Sequence, residues 1–94
     1  MYPDFWTRSE HQLDMIEAAK PSTAADIITL LDGHHGAAHF DDAIGDKRSL
    51  LTSLTSTGWE ITRYHAWYHW ALTHHTSGDR LEYIEGDIYD RTTH

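Results

Sequence analysis

The sequence predicts an α+β fold: three short helices packed on a three-stranded antiparallel sheet that ends in a β-hairpin. Three observations predict it. Apolar residues recur at helical spacing up to about residue 57. From Trp59 the period switches to two, in segments rich in β-branched and aromatic residues. Between two of those segments, "TSGD" at 76–79 is turn chemistry. A chain of 94 residues makes one domain, 1–94, with a small single core. So small a core makes a homodimer a natural supplement.

Residues 1–8 read as an aromatic N-terminal arm with Tyr2, Phe5 and Trp6, in which Pro3 opposes a helix. Ser9 and Gln12 have the spacing of a capping box. They predict a helix over about 10–19, with Leu13, Met15, Ile16 and Ala19 on one broad side and Pro21 ending it. A second helix starts after Ser22 or Thr23, with Asp26 in its first turns, where negative charge is favoured. Ala24, Ile27, Ile28 and Leu31 form its apolar stripe, and Gly33 is the expected C-terminal cap. "HHGAAHFDDAIG" reads as a connector anchored by Phe40 and Ile44. Asp46 then caps a third helix, which buries Leu50, Leu51 and Leu54 and stops at Gly58.

"WEITRY" alternates as a strand, and "AWYHWALTH" and "RLEYIEGDIY" follow as two more. A three-residue loop, Thr76 to Gly78, sets His75 opposite Asp79. Tyr68, Trp70, Leu72, Ile84 and Ile88 then form the core face. The other face holds Trp67, His69, Ala71, Leu81, Tyr83 and Tyr89 beside Glu85 and Asp87. The assignment depends on loop parity, since one more residue flips one strand relative to the other.

Composition narrows the chemistry. The chain has no Cys, so it holds no disulfide, thiolate metal site or Cys nucleophile. "MYPDFWTRSE" lacks the basic and apolar regions of a signal peptide, and no apolar run has membrane-spanning length. The expected location is the cytoplasm, without membrane contact. Net charge is -8, and residues 1–46 hold nine Asp/Glu against two Lys/Arg. Phosphate backbones repel such a chain, so nucleic acid is an unlikely partner. Nine His raise the charge in mild acid, and solubility is expected to be poor near the pI of 5.4.

The side chains offer four candidate chemistries. Trp67, His69, Tyr83 and Tyr89 form a candidate protein-binding face, because Trp and Tyr are over-represented at interface hot spots. His34, His35 and His39 lie near Asp41 and Asp42 in a loop and are candidate metal ligands, although no helical H-E-x-x-H pattern supports them. Three helices followed by a hairpin share the element order of a winged helix; Lys47, Arg48 and Arg80 would then touch DNA. Acids spread along the first two helices could mimic DNA or be an ordinary solvated face. No nucleophile elbow, phosphate-cradling loop or dinucleotide fingerprint is present, so neither an enzyme nor a cofactor is expected. Glu85, Asp87 and Asp90 cluster in "EGDIYD"; such carboxylates can bind metal or do acid–base work, but at a sheet end they are more often simply solvated.

"STGWEITRYHAWYHW" and "TSGDRLEYIEGDIYD" resemble small accessory proteins encoded by phages of actinobacteria. The likeness covers about the last 40 residues and carries no functional residues over. It implies a viral protein in the host cytoplasm that binds and modulates a host protein. The leading expectation is therefore a non-enzymatic protein-interaction module; a winged-helix DNA-binding regulator and a His-rich metal-binding protein are the alternatives.

Overall fold

The computed structural model describes residues 4–40 and 49–92, with residues 4–9 as backbone only. Helix α1 spans Asp4–Ala19 and α2 spans Ala24–Leu30. Strand β1 (Ala37–His39) precedes helix α3 (Leu50–Thr55). Strands β2 (Trp59–Ala66), β3 (His69–His74), β4 (Arg80–Ile84) and β5 (Asp87–Asp90) complete the chain. The protein is α+β, and its strands form one antiparallel sheet in the order β1-β5-β4-β3-β2.

Five strands replace the expected three because two segments that read as continuous or irregular are not. "RLEYIEGDIY" folds back on itself at Glu85 and Gly86, whose φ angles of 47° and 97° suit the tight turn of a two-residue hairpin. "HHGAAHF" supplies β1, which exists only because β5 offers it a ladder: Ala37 pairs with Tyr89, and the Phe40 N–H donates to the Gly86 carbonyl at 2.7 Å. Asp41 to Arg48, including the expected cap Asp46 and anchor Ile44, lie outside the described residues. Ser49 caps α3 instead, its hydroxyl accepting from the Thr52 N–H at 3.0 Å.

The helices cover one face of the sheet. Leu13 and Ile16 of α1, Ala24, Ile27 and Ile28 of α2, and Leu50 and Leu54 of α3 are buried with Trp59, Trp70, Leu72, Leu81, Tyr83 and Ile88. Residues 4–8 are helical, in contrast to the expected arm. Ser9 therefore lies inside the helix and not at its start, and the Gln12 amide donates to Asp32 across to α2. Met15 and Ala19 remain exposed, so the buried stripe is narrower than its apolar residues suggested.

In α2 the predicted stripe is buried, and Thr23 is the N-cap, accepting from the Asp26 N–H. Its C-terminus differs from expectation. Asp32 takes the left-handed position at φ 60°, with its N–H on Thr29 and the Gly33 N–H on Ile28, a Schellman arrangement. Gly33 is needed for space: a Cβ there would lie 2.3 Å from the Ala37 carbonyl oxygen.

The β3–β4 loop is one residue longer than expected. The His74 N–H bonds the Asp79 carbonyl, so Leu72 pairs with Leu81 and Trp70 with Tyr83. This turns β4 over. Leu81 and Tyr83 face the core, and Ile84 shares the outer face with Glu82. The expected register would have buried Glu82, which a small core cannot solvate.

Candidate protein-interaction surface

Trp70 stacks flat on Tyr83 in the core, with ring centroids 4.7 Å apart. Its indole N–H donates to the Trp67 carbonyl at 3.1 Å. Beside it, the Glu85 N–H donates to the Tyr68 carbonyl at 2.7 Å. These two bonds fix the turn between β2 and β3, whose central residues are Trp67 and Tyr68. Turn centres are ordinarily Gly, Asn, Asp or Pro, which suit tight backbone geometry. Here both side chains are large and aromatic. Trp67 is 63% exposed and Tyr68 44%, the two rings meeting edge-on at 5.3 Å.

The patch continues along β2. Ile61 and Tyr64 pair with Leu72 and Trp70, so they point to the helix side of the sheet. Yet Ile61 is 50% and Tyr64 54% exposed. Only Met15 among the other described residues is a large hydrophobic side chain exposed in this way. The tip and edge strand thus bring four large apolar groups together on a backbone held by the core.

As an edge strand, β2 offers unpaired backbone groups. Register shifts near Thr62 and His65 interrupt it. Bulges of this kind blunt an edge against strand addition.

No known protein family, curated protein or solved structure matches this chain. The surface is therefore judged on its own chemistry.

The sequence-predicted contact residues separate. Trp67 is at the tip. His69 is on the outer face, where its Nε2 lies 3.1 Å from Glu82, and its ring is 4.7 Å from that of His65. Tyr83 is 2% exposed, its hydroxyl donating to the Phe40 carbonyl, so it is a core residue and no contact. Tyr89 lies on the outer face under the Arg91 guanidinium, 4.7 Å from its ring centroid. Sequence reasoning missed Ile61, Tyr64 and Tyr68. The period-two pattern assigned the first two no exposure, and Tyr68 was assigned to the core.

The other candidates disperse as well. His34 and His35 touch each other edge-on at 5.0 Å, whereas His39 is held by Asp87 at 3.0 Å. Among the described residues no three His, Asp or Glu side chains could hold one metal ion. Lys47, Arg48, Asp41 and Asp42 lie outside the described residues. The third helix, which a winged helix would lay against DNA, is short, Leu50–Thr55, and buries Leu50, Ser53 and Leu54. Arg80 stands at the start of β4, far along the hairpin from the aromatic tip. Among the described residues no helix is long and apolar enough to cross a membrane.

Two titrations follow from local geometry. His74 is buried, and its Nδ1 accepts from the Thr76 and Ser77 N–H groups at 3.1 and 3.2 Å. Burial, then the neighbouring His75, holds its pKa below the ordinary histidine value, while Asp79 opposes them. Glu82 is held below the usual carboxylate range, first by its hydrogen bond to Arg91 and then by that to His69.

Proposed function

We propose that this chain is a non-enzymatic protein-interaction module that binds a partner protein through the β2–β3 tip and the adjoining strand. Trp67 and Tyr68 are the anchors, and Tyr64 and Ile61 extend the contact. One observation carries the reading: a large apolar patch sits on a turn whose carbonyls are pinned by Trp70 and by the Glu85 N–H. Such a turn exposes aromatic area without a large ordering penalty on binding, which is what hot-spot anchors require. Large exposed apolar side chains concentrated on one strand and its turn are a liability unless something covers them.

The resemblance to actinobacterial phage accessory proteins supports a host protein as that partner, met in the host cytoplasm. Capture from an actinobacterial lysate compares the wild-type chain with a Trp67→Ser/Tyr68→Ser variant, both nuclease-treated. The reading expects a stoichiometric protein on the wild-type matrix that the variant loses. Equal capture by both chains, or capture that vanishes with nuclease, overturns it.

A further inference from the structure

Residues paired across an antiparallel ladder share a face. On the side of the sheet away from the helices, Arg63 pairs with Ala71, which pairs with Glu82. The next row runs Glu60, Thr73 and Arg80, and the Arg91 N–H bonds the Arg80 carbonyl beside them. Together with Thr62 these residues line a shallow groove of about 330 Å³, floored in part by the small Ala71 side chain. Three of the seven Lys/Arg of a chain with net charge -8 meet here.

Their charges are unequally matched. Glu82 accepts from Arg91 at 2.9 Å and lies 3.1 Å from His69. Among the described residues neither Arg63 nor Arg80 forms an ion pair. Glu82 is the one carboxylate in the lining, Glu60 stands at its border beside Thr73, and the Arg63 and Arg80 guanidinium groups are left outside any ion pair among the described residues.

We propose that this groove binds an acidic peptide segment in extended form, with carboxylates at alternate positions. The aromatic tip is a different surface, and the proposal does not rest on it. Guanidinium groups match carboxylates in a planar, two-bond geometry. Arg63 and Arg80 are rooted two strands apart, a span of about 10 Å, so they suit two separate charges better than one compact ion. Alternate residues of an extended peptide lie about 7 Å apart on one side, within reach of both flexible arms. A phosphate group carries about -1.5 to -2 charge and would meet stronger repulsion from Glu82 than a single carboxylate does.

The test uses the full chain, isotopically labelled, titrated with a blocked Glu-Ser-Glu-Ser-Glu peptide and followed by NMR. Saturable shifts are expected at the Arg63 and Arg80 side-chain N–H signals and at the Thr73 amide. An Arg63→Gln/Arg80→Gln variant, its remaining spectrum unchanged, should bind about tenfold or more weakly. The Gln-Ser-Gln-Ser-Gln peptide should not bind. Absence of saturable shifts, equal binding of the glutamine peptide, or undiminished affinity in the variant overturns the proposal. Tighter binding of inorganic phosphate than of the acidic peptide also overturns it, in favour of a phosphate site.

Discussion

Strand β3 is bounded by two connections that use their residues in opposite ways. The β3–β4 loop is polar and tied down. His74 accepts two of its N–H groups, the Ser77 hydroxyl donates to the Ser22 carbonyl, and the Asp79 carboxylate accepts from the Ala24 N–H at 2.8 Å. That loop clamps the start of α2, and the buried Trp59 indole joins it by donating to the Pro21 carbonyl. The β2–β3 turn is aromatic and its two rings face solvent. Its backbone is fixed, yet its two large side chains stay 63% and 44% exposed. Polar groups at one end of the strand close the structure, whereas large apolar groups at the other end stand largely in solvent. That inversion of the usual rule is what the proposed binding role of the second end rests on.

The comparison breaks or sharpens at four points, from the largest expected effect to the smallest. Trp70→Ala should cost about 3–5 kcal/mol by urea denaturation, since it empties the core beneath the tip. A loss no larger than that of Trp67→Ala would erase the distinction between the two indoles. Gly33→Ala should cost about 1–3 kcal/mol, because the new methyl meets the Ala37 carbonyl and the Ile28 side chain. A neutral outcome would mean that α2 and β1 can move apart.

The clamped loop should also sense acid. The folded-state pKa of His74 is depressed, so the unfolded chain binds more protons. Its contribution is fully present above about pH 6.5, the unfolded value, and is lost as pH falls through the folded one. Protonation puts a hydrogen on Nδ1, where two N–H groups already point. Stability curves at pH 7.5 and 5.5 should diverge for the wild type and lie closer for His74→Asn, which keeps an acceptor and does not titrate. Parallel behaviour of the two proteins would remove His74 from the clamp. On the outer face, Glu82→Gln should cost under about 1 kcal/mol at neutral pH, because Arg91 is half exposed. The wild-type advantage should fade as pH drops below the usual Glu value of 4.5, the sign expected for a depressed carboxylate.

How much of this was legible in the residues depends on the range of the forces involved. The fold class and α2 were legible, because the stripe Ala24, Ile27, Ile28 and Leu31 and the Thr23 cap are local patterns. The register was not. A loop of four residues differs from one of three only in where His74 finds its partner, and that shift exchanged Ile84 for Tyr83 in the core. Strand β1 was invisible since its bonds come from β5, some 50 residues away in sequence. At the site, composition marked Trp67. It could not mark Ile61 and Tyr64, which have strand periodicity but lie where the helices leave the inner face of β2 uncovered.

The most direct test of the central claim is the unfolding free energy of Trp67→Ser/Tyr68→Ser, measured by urea denaturation beside the wild type. Side chains that serve contact alone should leave it within about 0.5 kcal/mol of the wild-type value, as for other exposed positions. A loss of about 2 kcal/mol or more would place the two rings in the core and contradict a tip held open for a partner.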